Sequence, residues 1–400
     1  MLKKQLKDFN FEGKRVLMRC DFNVPLDENS NITDDIRIRS SLPSINYILE
    51  NGGSVVLMSH LGRPDGEPDS KFSLTPVAKK LADLLNQEVV FAEYDEVVND
   101  QVKKMAGRLL PGEVMLLQNT RFRKEETKNG EEFSKELASL ADIFVNDAFG
   151  TSHRSHASNV GVAKHLPSAV GFLIGKELDA IGGALSNPKR PFTAILGGAK
   201  VSDKIGVIEN LINVADNILI GGGMAFTFIR AIGYPVGTSL LEEDKIELAA
   251  ELLKKAEDKG VNIFLPQDFK VAQEFKDTSD FQVVNFKEIP DTYMGLDIGE
   301  RTIKLFESVL EGSQTVIWNG PMGVFEFDNF AEGTNAISKK LAELDIISII
   351  GGGDSAAAVE KAGLAEKMTH ISTGGGATLE YMEGKVLPGI DAIEDLEEVS

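Results

Sequence analysis

Arginines, histidines and short polar side chains recur after apolar runs in the first half of this chain: Asp21 and Asn23, His60 and Arg63 in SHLGRP, Arg121 and Arg123 in NTRFR, and His153, Arg154 and His156 in GTSHRSH. A guanidinium presents a planar fork of donors to carboxylate or phosphate, so arginines converging from several places suit a small, multiply charged anion. Taken singly, each arginine has a plainer reading as a solvated charge, and His153 and His156 as loop donors or metal ligands. The second half repeats glycine clusters instead: GGAK at 197–200, GGGM at 221–224, NGPMG at 319–323, GGGD at 351–354 and TGGGA at 373–377. Without a Cβ, glycine lets backbone N–H groups approach phosphate oxygens closely, and a helix starting just after adds the positive end of its dipole. One cluster could be only a tight turn or a packing contact. Their recurrence after successive apolar runs points to a nucleotide.

Other phosphate and ester chemistries lack their signatures. The Gly-Lys pairs at 13–14, 175–176 and 384–385 are followed by Arg15, Glu177 and Val386, so no G-x-x-x-x-G-K-[ST] loop is present. Residues 351–356 fit G-x-G-x-x-A, but the apolar stretch at 370–372 runs into further glycines rather than the acid that holds an NAD ribose. No G-x-S-x-G elbow supplies a hydrolase nucleophile.

The elements that must hold these residues follow a βαβ rhythm. Short apolar runs at 54–59, 113–118, 143–146, 193–196, 217–220, 261–265, 315–318 and 346–350 read as buried parallel strands. Between them, 74–85, 132–140 and 243–259 space apolar residues three and four apart, as amphipathic helices do, and Gly260 reads as a C-terminal cap. In open sheets of this kind ligands bind beyond the carboxyl ends of the strands, where the cations and glycines above fall. The prolines in 186–191, after a helical pattern over 170–185, mark a domain boundary, or else a loop inside one large sheet. The helix expected over 201–211 would carry Lys200 and Lys204 on one face at its start.

At 400 residues the chain is long enough for two domains of roughly 100 to 200 residues each. A net charge of -20 opposes nucleic acid and anionic membrane, so a site for an anion must be a local basic pocket. The single cysteine, Cys20, allows no intrachain disulfide and reads as a buried filler, with a reactive thiol the alternative. No apolar run reaches the roughly 20 residues of a membrane span, and residues 1–10 have no secretory pattern, so a cytoplasmic location is expected.

The run RVLMRCDFNVP at 15–25 resembles the phosphoglycerate kinase signature. SHLGRPDG, GTSHRSH, ILGGAKVSDKI, GGGMAFTF, WNGPMGVFE and STGGGA are similar to that family's other motifs, in order along almost the whole chain. The resemblance implies an α/β fold of two Rossmann-like domains, each a parallel sheet covered by helices on both faces, joined by a hinge helix. It places a substrate domain at 1–170, a hinge at 171–191, a nucleotide domain at 192–381 and a segment at 382–400 returning to the first domain. It implies that Asp21, Phe22, Asn23, Arg37, His60, Leu61, Gly62, Arg63, Arg121 and Arg154 bind 3-phosphoglycerate or its acyl phosphate. Lys200, Lys204, Gly222, Gly223, Gly295, Leu296, Asn319, Glu326, Gly352, Gly353, Asp354 and Ser355 would surround ADP or ATP, with Glu326 at the ribose. Asp354 would reach the accompanying Mg²⁺, and Arg37 and Lys200 would be catalytic. Cys20 stands where a branched apolar residue is commoner in that family, and Ser355 where threonine is frequent, its hydroxyl kept for a phosphate or metal. A monomer is expected, with small-molecule partners only. An NAD-dependent dehydrogenase or a non-catalytic nucleotide-binding scaffold is the competing reading.

Overall fold

The structure, a computed structural model, describes residues 3–396. The chain divides into two compact units, one made of the described parts of Met1–Leu178 and Val386–Ser400, the other of Asp179–Lys385.

The first unit is built on six parallel strands: β1 (Arg15–Arg19), β2 (Ser54–Met58), β3 (Val89–Ala92), β4 (Val114–Leu117), β5 (Ile143–Asn146) and β6 (Ser168–Val170). Their order is β3-β4-β2-β1-β5-β6. Unbroken burial along β2, β4 and β5 is what a sheet covered on both faces requires. The helix Ile36–Glu50 lays Ile38, Ser41, Ile45 and Ile48 along one stripe into the core, which also gathers Val16, Met18, Val55, Leu57, Leu116 and Val145. Cys20 belongs to that core, and burial pushes its thiol pKa far up, so it is an inert filler. The segment after Val386 is stitched in: Asn146 Nδ2 donates to the Gly389 carbonyl (2.8 Å), the Lys4 amide to the Glu394 carbonyl (2.9 Å), and Lys3 pairs with Asp395 (2.7 Å).

The second unit has its own six-stranded parallel sheet: β7 (Phe192–Leu196), β8 (Asn217–Ile220), β9 (Asn262–Phe264), β13 (Thr315–Asn319), β14 (Ile347–Gly351) and β15 (His370–Ile371), in the order β15-β14-β13-β7-β8-β9. Around Trp318, fully buried, pack Ile195, Leu219, Phe306, Ile337 and Ile350. A three-stranded antiparallel sheet, β10 (Asp268–Ala272), β11 (Gln282–Asn285) and β12 (Met294–Ile298), is an addition the sequence reading did not anticipate.

The helical pattern over 170–185 is a helix interrupted by a π-helical stretch, Leu178–Gly182. The helix expected over 201–211 is corrected: it spans Ile205–Val214, and 201–204 form a turn closed by the Lys204 amide on the Val201 carbonyl (2.8 Å). The Ser202 amide donates to Glu242 (3.1 Å), and Lys200 and Lys204, lying before the helix, share no helix face. The helix expected over 243–259 is a short 3-10 turn followed by Ile246–Asp258, and Gly260 at φ 71° ends it in the left-handed conformation.

Candidate active site

Each parallel sheet has one pair of adjacent strands from whose ends the chain departs in opposite directions, and open α/β sheets bind ligands at that crevice. In the first unit β1 leads toward β2 on one side and β5 toward β6 on the other, so the crevice opens between β1 and β5. Asp21, Asn23 and Arg37 follow β1, and His153, Arg154 and His156 follow β5. His60 and Arg63 come from the end of β2, and Arg121 from that of β4.

Contacts within the unit bind several of these together. Arg37 Nη1 donates to Asp21 Oδ2 (2.8 Å), which steadies a cation in the first turn of a helix where the dipole disfavours it. Asn23 Oδ1 accepts from the Gly62 amide (2.9 Å), and Arg121 Nη1 donates to the Gly62 carbonyl (2.9 Å). Phe22 and Leu61 are core side chains and offer only backbone to a ligand. Arg63 and Arg154 are exposed, and with Arg121 they line a cavity of 460 Å³ that also faces Arg123, Lys124 and Lys128. Burial first, then the neighbouring Arg19, Arg154 and Arg63, hold the Arg121 pKa down at about 10, with Glu126 pulling the other way.

The geometry also removes candidates. Arg123 is a strut, bonded twice to Glu125 (3.2 and 3.0 Å), to Glu136 (3.0 Å) and to the Glu96 carbonyl (3.0 Å), with its guanidinium over Phe133. His156 is buried and neutral, its pKa lowered to about 3 by burial and then by Arg19. Burial, then Arg19, drives His60 well below the ordinary histidine value as well, so it acts as a neutral hydrogen-bonding group. Arg154 Nε stands 3.2 Å from His153 Nε2, and among the described residues no three His, Cys, Asp or Glu side chains are grouped to hold a metal.

Sequence reasoning passed over three buried groups behind this site: Arg19, Glu126 and Ser158. Arg19 alone left a signal, a charge directly after the apolar run Val16–Met18 and before the buried Cys20.

In the second unit the chain leaves β7 toward β8 and β13 toward β14, and the crevice falls where the Gly197 and Gly320 loops meet. A Cβ on Gly320 would lie 2.3 Å from the Gly197 carbonyl oxygen, and one on Gly197 2.1 Å from that of Pro321, so only glycine lets the loops touch. The Met224 amide donates to the Gly198 carbonyl (3.0 Å) and the Gly222 amide to that of Met322 (3.0 Å), bringing Gly222 and Gly223 into the same cradle. The Val324 amide bonds the Leu296 carbonyl (2.8 Å), and Gly295 abuts the Phe226 ring, where any Cβ would clash at 2.2 Å.

Lys204, buried, donates to Asn319 Oδ1, and burial lowers its pKa to about 8 against the pull of Asp203 and Asp354. Asn319 Nδ2 is a buried donor without a protein partner, close to Gly352. Ser355 is buried and its oxygen accepts from the Gly320 amide (2.7 Å), so it offers a ligand its hydroxyl hydrogen and amide rather than the free hydroxyl expected. Gly352 at φ 87° caps the helix Gly353–Lys361, whose first-turn amides lack intrahelical acceptors. Lys200, Glu326, Gly353 and Asp354 are exposed; Asp354 reaches Lys204, and Lys200 reaches Glu242, only through charge.

An arginine-lined crevice in one unit and a cradle of unpaired donors and glycine loops in the other define a two-unit α/β kinase of small anionic substrates. The chain belongs to the phosphoglycerate kinase family: a family model described as phosphoglycerate kinase matches residues 6–385. Relatives of that name are 60% identical over 395 residues in Finegoldia magna (99% of this chain, 100% of the relative) and 57% over 394 in Clostridium perfringens strain SM101 (98% and 99%). The phosphoglycerate kinase structures from Coxiella burnetii and Pyrococcus horikoshii are similar to it, with TM-scores of 0.90 and 0.82 at 39% and 35% identity. They cover 98% and 97% of this chain and 98% of each neighbour. The enzyme is a phosphotransferase with a carboxyl acceptor, working in glycolysis. No helix among the described residues is long and apolar enough to cross a membrane.

Proposed function

We propose that the enzyme moves the acyl phosphate of 1,3-bisphosphoglycerate reversibly to ADP, giving 3-phosphoglycerate and ATP, with Mg²⁺ accompanying the nucleotide. The convergence of Arg63, Arg121 and Arg154 on one cavity, in a protein of net charge -20, carries this reading. Such converging charge is stabilised by an anionic ligand. Asp21, Asn23, His60, Gly62, Arg63, Arg121 and Arg154, with the backbone of Phe22 and Leu61, then hold 3-phosphoglycerate. The second cradle supplies the nucleotide site through Lys204, Gly222, Gly223, Gly295, Leu296, Asn319, Gly352, Gly353 and Ser355, with Glu326 at the ribose.

In-line transfer between a carboxylate oxygen and a terminal phosphate needs no protein nucleophile; orientation and charge neutralisation suffice. Arg37 and Lys200 are assigned to the migrating group. The exposed Asp354 carboxylate, in the first turn of its helix and near enough to Lys204 for its charge to be felt, fits a hard cation that takes most of its oxygens from phosphate and water. When bound, that ion supplies charge neutralisation on the phosphates.

Each reactant belongs to a different unit, so the reading includes hinge bending in 171–191. Amide exchange there should slow when both ligands are bound and stay unchanged with either alone. The enzyme is further read as a cytoplasmic monomer without nucleic-acid partners, the net charge being the support for the last. A coupled assay with Mg-ATP and 3-phosphoglycerate tests the whole. Folded protein that gives no turnover would refute it.

A further inference from the structure

Arg19 closes β1 fully buried, and each of its nitrogens is engaged inside the protein. Nε donates to Ser158 Oγ (2.8 Å), Nη1 donates to the Cys20 carbonyl, and Nη2 stands 3.1 Å from His60 Nδ1. Ser158 passes its own hydroxyl hydrogen to Glu126 Oε1 (2.7 Å), and Glu126 is fully buried as well. A guanidinium has donors and no acceptor, so at the last Arg19 contact the His60 nitrogen must accept. A neutral imidazole carries one hydrogen, and with Nδ1 accepting it sits on Nε2. No protein group among the described residues meets that Nε2.

We propose that Arg19, anchored through Ser158 to Glu126, is a positioning residue that locks His60 as the Nε2–H tautomer, giving the substrate anion a fixed donor without touching the anion itself. The other neutral tautomer would turn a lone pair toward that anion, so the lock decides whether His60 attracts or repels. The inference rests on reading the first unit as the 3-phosphoglycerate site.

The test uses full-length protein with nitrogen-15 in its five histidines, the His60 signals being assigned by their loss in His60→Gln. Wild type should show the neutral Nε2–H pattern at His60 with and without 3-phosphoglycerate, the Nε2 resonance shifting when the ligand binds while the tautomer stays the same. Arg19→Met, and the milder Ser158→Ala should the first not fold, should lose the single tautomer and raise KM for 3-phosphoglycerate about tenfold, the scale of one lost hydrogen bond to a charged group, with KM for Mg-ATP little changed. Placed in the His60→Gln background, Ser158→Ala should add nothing further to KM. An Nδ1–H or doubly protonated His60 in wild type, or an unchanged tautomer in both variants, overturns the lock. An Nε2–H signal that ignores 3-phosphoglycerate overturns the substrate half and leaves the lock standing.

Discussion

Arg37 and Arg121 are cations of one cluster, but their bonds set them apart. Arg37 is half-exposed and tied only to Asp21, free to turn toward a migrating phosphoryl group, whereas Arg121 is buried and fixed to the Gly62 carbonyl. Arg37→Ala should therefore lower kcat by roughly 10³-fold, as loss of an arginine aimed at a transferring phosphoryl does elsewhere. Arg121→Ala should mainly raise KM for 3-phosphoglycerate, by about 10- to 100-fold. Steady-state titrations at saturating Mg-ATP separate the two, and a near-normal kcat in Arg37→Ala would remove its catalytic role. Lys204 gives a pH prediction. With its pKa at about 8, its charge is present below that value and lost as pH rises through it, so ADP affinity should fall above about pH 8. Just above that pH binding should take up a proton, which calorimetry in buffers of different ionisation enthalpy reads directly. At this scale the sequence showed which residue types gather but not which are already employed. Arg121 and Arg123 sit two apart in one loop, and only the partners of Arg123, supplied by Glu125 and Glu136, make it a strut.

Among the elements, the glycine loops separate two roles that one residue type conceals. Gly320, at φ 97° and in backbone contact with Gly197, should lose about 1–3 kcal/mol or more on substitution by alanine. Gly353 has open space and an ordinary φ at the start of its helix, so Gly353→Ala should leave stability within about 0.5 kcal/mol. Urea unfolding of the two variants checks both, and equal losses would contradict the assignment. Eight of the twelve parallel strands were legible as short, mostly apolar runs, and the helix Thr75–Leu85 because its stripe is regular, whereas β1, β3 and β6 were not singled out. The antiparallel β10, β11 and β12 were not legible: DFKVA, QVVN and MGLDI each mix apolar with polar or acidic residues, so none reads as an apolar run. The turn at 201–204 escaped because its partner Glu242, which binds the Ser202 amide and hydroxyl, lies some forty residues away in sequence.

For the whole molecule, the proposed reading puts each ligand on its own unit. 3-Phosphoglycerate alone should slow amide exchange around 20–23, 60–63 and 119–123, and Mg-ADP alone around 197–204, 221–223 and 352–355. Protection of both sets by either ligand would contradict separate sites. The repelling global charge and the local arginines are visible in the sequence together, whereas the crevices needed the strand order, which no local pattern encodes. The stitching of Gly389, Glu394 and Asp395 to the first unit has a consequence for how the protein is made. Asp179–Lys385 is one uninterrupted stretch and can fold on the ribosome as soon as it emerges. The first unit, although begun earlier, must wait for its last stitches until the second has been synthesised. Its nascent form therefore spends the longer time with the carboxyl end of β5, at Asn146, uncovered, and that is where a chaperone would find it.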